Sequence, residues 1–195
     1  MPLDAVLVFV AYLLGSLSSA VIVCRALGLA DPRGVGSGNP GATNVLRFGG
    51  RKAAAATLAG DLVKGLAPVV VAKFLGVGPL ALGLVGLAAF LGHLYPVFFG
   101  FQGGKGVATA LGVWLGIDWR LGLALGLVWL AMAAVVRISS VGALSAALLA
   151  PLAVAWLEGS PALTVTTAAI SLMLFWRHRS NLRNLLAGTE RRIGR

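Results

Sequence analysis

The sequence predicts an all-α membrane protein, a polytopic bundle of seven transmembrane helices in a single domain over residues 1–195, with the N-terminus outside and the C-terminus cytoplasmic. Composition is the first support. The chain is 58% hydrophobic and only 11% charged, and its mean hydropathy is +0.93. A soluble chain of this length leaves much of its surface in water and cannot hide so much apolar area, whereas lipid accepts it. The second support is the pattern. A membrane helix needs roughly 20 apolar residues, and apolar runs recur at about 4–24, 54–75, 79–99, 106–117, 120–136, 141–157 and 161–177. The third is where the positive charge falls between those runs.

The first run has no basic segment ahead of it, carries Asp4, and is long enough to span. It therefore reads as a retained helix and not as a signal peptide. Cys24, the single cysteine, is expected to pack at the end of that helix. One cysteine and two histidines make neither a disulfide framework nor a Cys/His metal site. In the second run, Asp61 and Lys64 share a helix face at i, i+3, which favours a structural ion pair over a catalytic role.

The fourth run is short, and the topology turns on it. Lys and Arg concentrate in cytoplasmic loops. With all seven runs spanning, Arg25, Arg33, Arg47, Arg51, Lys52, Lys105, Arg137 and the six arginines from Arg177 onward lie inside, against Lys73 and Arg120 outside. Dropping the fourth run sends Arg137 and those six arginines to the other side and cancels the bias. The net charge of +10 thus belongs to membrane orientation and lipid headgroups, not to nucleic acid. Gly112 with Gly116 and Gly122 with Gly126 have the small-xxx-small spacing of closely packed membrane helices.

Polar residues are unevenly shared between the two sides. The outer connections, 76–78, 117–119 and 158–160, are little more than turns, so the capable segments lie inside. The longest contains Gly36-Ser37-Gly38-Asn39-Pro40-Gly41-Ala42-Thr43-Asn44, followed by Arg47. Glycines let backbone N–H groups converge on an oxyanion, hydroxyls and amides add donors, and an arginine offers a bidentate phosphate partner. The next segment carries Gly103-Gly104-Lys105-Gly106. It is not a nucleotide P-loop, because Phe99 stands where the first glycine is needed and Gly106 where Ser or Thr is needed. It remains a glycine-rich turn that opens a helix, a general anion site.

Arg137-Ile138-Ser139-Ser140 adds a cation and two hydroxyls. The tail from Arg177 through His178, Asn181 and Asn184 adds arginines that serve either the site or headgroup anchoring. These loops hold many anion binders and few bases, and neither a Ser-His-Asp order nor a metal cluster is legible. Such a site suits a phosphorylated amphiphile that brings its own reactive groups, with the protein supplying position and charge. A transporter for a phosphorylated solute is the competing class, but the chain shows no obvious inverted repeat and few polar groups outside.

The two glycine-rich segments, together with Gly92-His93 and Pro96, resemble the signature loops of the PlsY family, the bacterial acyl-phosphate:glycerol-3-phosphate acyltransferases. Arg137 to Ser140 and His178 to Glu190 are similar to that family's later segments. The resemblance implies a bacterial inner-membrane enzyme, active on the cytoplasmic face, that transfers a fatty acyl group from acyl phosphate to the 1-hydroxyl of sn-glycerol 3-phosphate. The products are lysophosphatidic acid and phosphate, in the first step of phospholipid biosynthesis. It implies no cofactor and no metal, and a functional link to the enzyme that makes acyl phosphate. Carried over residue by residue, Ser37, Arg47, Lys105 and His178 are the catalytic candidates. Gly38, Asn39, Thr43, Asn44, Gly103, Gly104, Ser140 and Asn181 are the substrate-binding ones. The base that deprotonates the hydroxyl is either a substrate phosphate or His178.

Overall fold

The structure is a computed structural model and describes residues 2–193. Among these residues all regular structure is helical. The helices are α1 (Pro2–Gly15), α2 (Ser19–Ala26), α3 (Ala42–Phe74), α4 (Pro79–Leu94), α5 (Val107–Ile117), α6 (Trp119–Val136), α7 (Ser139–Glu158), α8 (Pro161–Arg177) and α9 (Arg179–Leu186), with a 3-10 turn at Val97–Phe99. Every apolar run is helical, and three boundaries differ from expectation. The first run is broken into α1 and α2, bent by 42°. The second begins at Ala42 because a helical arm joins the span across Gly50, whose φ of 80° and ψ of 179° open only to glycine. The tail folds into α9, an amphipathic helix.

Four helical segments, α3, α4 with its 3-10 extension, α6 and α7, are each long and apolar enough to cross a bilayer, and the bent pair α1–α2 makes a fifth. The remaining two runs are α8, of 17 residues, and α5, of 11. At 1.5 Å per residue, α5 rises only about 16 Å, near half the hydrocarbon thickness.

Glycines let α5 lie directly on α3. A Cβ on Gly65 would stand 2.2 Å from the Thr109 carbonyl oxygen, and one on Gly112 would stand 2.1 Å from that of Leu62. Gly112 and Gly116 therefore serve close packing as their spacing suggests, whereas Gly126 meets nothing nearer than 3.7 Å. Phe90, Leu94, Leu121, Ile170 and Leu174 fill the centre, and large apolar side chains such as Phe74, Trp156 and Leu172 face outward, as lipid requires. Lys73 donates to the Ile117 carbonyl at 2.6 Å, and Asp118 pairs with Arg120 at 2.6 Å; these contacts tie down the end of the bundle with the short turns. The four long polar segments meet at the other end.

Candidate active site

The first polar loop is folded by Asn44. This residue, 1% exposed, donates to the Pro32 and Val35 carbonyls at 3.0 and 2.9 Å and accepts the Ser37 N–H at 2.9 Å. Its amide is thus committed to shaping the loop, so that Ser37, Asn39 and Thr43 are presented while Asn44 stays behind them. Arg33 pins the same loop. It pairs with Asp31 at 2.7 Å, donates to the Phe99 carbonyl at 3.2 Å, and holds the Asp31 carboxyl below the usual carboxylate range. Arg47 rides on the arm of α3 that precedes the Gly50 kink.

The second loop is held from two sides. The Gly104 N–H bonds the His93 carbonyl at 3.2 Å. From the opposite side Arg177 donates to the Gly103 carbonyl at 2.8 Å and twice to that of Gly104, and its guanidinium lies 5.9 Å from the Tyr95 ring centroid. Lys105 leaves this turn and donates to Asn181 Oδ1 at 2.5 Å. Asn181 donates in turn to Glu190, which also accepts from Ser140 at 2.8 Å and Asn184 at 3.2 Å. One carboxylate therefore joins the third polar segment to the fourth.

Two cavities meet here. The larger, of 670 Å³, runs from Ser37, Arg47, Ser140, His178 and Asn181 down to an apolar stretch between α3, α5 and α6 that includes Leu62, Trp114 and Trp129. The smaller, of 410 Å³, is polar and includes Gly38, Gly103, Arg177, Arg179 and Arg183. Ser37, Asn39, Lys105 and Ser180 line both. An amphiphile and a small anion can thus lie head to head across Lys105.

The electrostatics suit anions. Burial lowers the Lys105 pKa, Glu190 opposes that shift, and the charges of Arg177 and Arg47 add to it. Cations crowded together in this way favour an incoming phosphate. His178 is 3% exposed, and burial pushes its imidazole down to about 4, so it is neutral at pH 7. Its Nδ1 faces the Leu174 carbonyl at 2.8 Å; because a carbonyl only accepts, Nδ1 carries the proton and Nε2 the lone pair.

The glycerol-3-phosphate acyltransferase family model matches residues 5–188. The chain belongs to this family. It is 57% identical to the glycerol-3-phosphate acyltransferase of Methylococcus capsulatus, over 100% of this chain and 98% of that one. It is 58% identical to that of Hydrogenovibrio crunogenus, over 92% and 87%. Among solved structures it resembles PlsY, an integral membrane glycerol 3-phosphate acyltransferase, in its glycerol 3-phosphate form: TM-score 0.93, 40% identity, 98% of this chain and 96% of that one. The lysophosphatidic acid form of PlsY matches with a TM-score of 0.89, at 40% identity over 98% and 95%. These findings establish a multi-pass membrane protein of the glycerol-3-phosphate acyltransferase family.

Within this acyltransferase fold, nearly all the residues singled out from the sequence converge on the two cavities. Gly104 sits behind the wall, against His93, and Asn44 lines the larger cavity with its amide turned to the loop. Two residues that organise the site were not assigned roles from the sequence. The sequence marks Glu190 only as part of the tail that resembles the family, and Arg177 only as one of several tail arginines. The signal for Arg177 was its place beside His178 at the end of an apolar run. Glu190 offered only its rarity, as one of six acidic residues in the chain.

Proposed function

We propose that this protein transfers a fatty acyl group from acyl phosphate to the 1-hydroxyl of sn-glycerol 3-phosphate, forming lysophosphatidic acid and inorganic phosphate. The observation that carries this reading is the meeting of an amphipathic cavity and a cationic recess at Lys105. The acyl chain lies in the apolar stretch with its phosphate at the polar end, and glycerol 3-phosphate occupies the recess. The family membership and the two ligand forms of PlsY support the acceptor and the product.

In the reaction, the glycerol 1-oxygen attacks the acyl carbonyl carbon, the bond from that carbon to the phosphate oxygen breaks, and phosphate leaves with the bonding pair. The proton from the hydroxyl goes to a phosphate oxygen. Arg47 and Lys105 neutralise the phosphates, while Ser37, Asn39 and Thr43 orient them. The Gly103 N–H adds a donor where charge develops, while that of Gly104 is held by the His93 carbonyl. Gly38, Ser140 and Asn181 complete the pocket. Asn44 acts by holding the first loop in shape. His178, neutral with its Nε2 lone pair free of its own helix, orients the hydroxyl; it takes the base role only if the phosphate does not. Cationic side chains supply the charge stabilisation, so the scheme runs without a metal or cofactor.

The whole chain acts as one domain crossing the bacterial inner membrane seven times, with the N-terminus outside and the site on the cytoplasmic face. It uses acyl phosphate made by a partner enzyme of the same pathway. The test is an assay of purified protein with glycerol 3-phosphate and either palmitoyl phosphate or palmitoyl-CoA. Palmitoyl phosphate should yield phosphate and lysophosphatidic acid in equal amounts. Product from the thioester alone would overturn the donor, and no lipid product from either would restore the transporter reading.

A further inference from the structure

Beneath the site, inside the bundle, three ionisable side chains are buried together. Asp61, Lys64 and His93 are 2%, 7% and 6% exposed. Lys64 Nζ lies 2.9 Å from Asp61 Oδ1 and donates to the Leu17 carbonyl, at the break between α1 and α2. Such a pair needs no third member for neutrality. Yet the same Asp61 oxygen lies 3.5 Å from His93 Nδ1, and the Thr109 hydroxyl lies 3.1 Å from that nitrogen. One edge of the imidazole is thus set by α3 and α5 together.

The other side of His93 meets the second loop. A Cβ on Gly104 would stand 2.4 Å from His93 Nε2, so the ring rests against the backbone of that turn. The His93 carbonyl accepts the Gly104 N–H and would lie 2.1 Å from a Cβ on Gly103. Arg177 presses from the opposite side through the carbonyls of both glycines. The turn is therefore clamped between a guanidinium and an imidazole, and Lys105 leaves directly from it.

We propose that Asp61, acting through His93 and Thr109, is a positioning residue that holds the Gly103–Gly104–Lys105 turn in the shape that receives phosphate. This inference rests on the reading that the turn binds phosphate. A displacement of a few tenths of an ångström in the ring passes to the turn, because glycine backbone and imidazole are already in contact. A preorganised phosphate site holds its groups within about 0.5 Å, so binding is sensitive to shifts of that size. Lys64 pairs with Asp61, and the Leu17 carbonyl fixes Lys64.

Two variants separate positioning from mere charge compensation. Asp61→Asn combined with Lys64→Met removes both charges, a change that bundle interiors often tolerate. Thr109→Val keeps the ion pair and removes only the contact to His93. Positioning predicts that the double variant melts near the wild-type temperature in detergent while its KM for glycerol 3-phosphate rises about tenfold and kcat changes less, the scale of one lost buried polar contact. The valine variant should raise KM about threefold. A KM within twofold of wild type in both variants overturns the inference, and Thr109→Val decides alone if the double variant does not fold. Titration calorimetry with glycerol 3-phosphate distinguishes the two readings: wild type that binds it without acyl transfer refutes the proposed reaction, and the variants' affinities still decide the relay.

Discussion

His178 is turned by its own helix. The Leu174 carbonyl accepts a hydrogen bond from its Nδ1–H at 2.8 Å, and burial with the nearby charge of Lys105 holds the ring neutral, with a pKa of about 4. In the unfolded chain the same ring titrates near 6.5. Below that pH the unfolded state binds a proton that the folded state refuses, so the stabilising contribution is complete above 6.5 and is lost as pH falls toward 4. The difference is worth roughly 3 kcal/mol. In detergent, the melting temperature of wild type should fall more steeply between pH 7 and 4.5 than that of His178→Gln, and parallel curves would show that His178 is not a buried neutral imidazole. The same variant should keep most of its turnover at pH 7 if a substrate phosphate takes the proton. Legibility at this scale depended on where a residue's partners lie. Ser37, Arg47 and Lys105 stand in runs whose composition announces an anion site. Glu190 gains its role from Ser140 and Asn181, and the nearer of the two is nine positions away in sequence. No local pattern connects them.

Among the elements, α3 and the α1–α2 pair show what apolar patterning conveys and what it leaves out. The run from 54 to 75 was readable as a span because lipid demands an unbroken apolar stretch. The arm that carries Arg47 was not, since it belongs to the polar segment ahead of that run; in the structure it is helical, and Gly50 bends the chain before the helix resumes. The break after Gly15 falls in Gly15-Ser16-Leu17-Ser18-Ser19, a short polar interruption of the first run. At that point a Cβ on Gly15 would stand 2.1 Å from the Ala89 carbonyl oxygen, so the end of α1 lies directly on α4. The Gly50 kink aims Arg47 into the cavity, and alanine cannot hold φ at 80° without strain of about 1–3 kcal/mol. Gly50→Ala should therefore reduce kcat/KM about tenfold. Unaltered kinetics would mean that the kink does not seat Arg47.

At the scale of the whole molecule, the short α5 governs both sidedness and chemistry. If it counts as a crossing, the termini lie on opposite faces and all four polar segments share the cytoplasmic one. That arrangement is testable in a Cys24→Ser background, Cys24 being buried. Arg192→Cys should react with an impermeant maleimide only from the cytoplasmic side. Gly78→Cys, where a side chain meets nothing within 4 Å, should react only from outside. Labelling of both from one face would mean an even number of crossings between them and contradict the seven-span arrangement.

In the proposed reaction, chemistry occurs where the apolar stretch and the cationic recess meet, and Lys105 lines both cavities at that junction. The most direct measurement is the kinetics of Lys105→Met with palmitoyl phosphate and glycerol 3-phosphate, beside its melting temperature. Loss of one preorganised charge at a phosphate predicts a fall in kcat/KM of about 100-fold or more, with wild-type stability retained. Near-wild-type turnover by the folded variant would contradict the account.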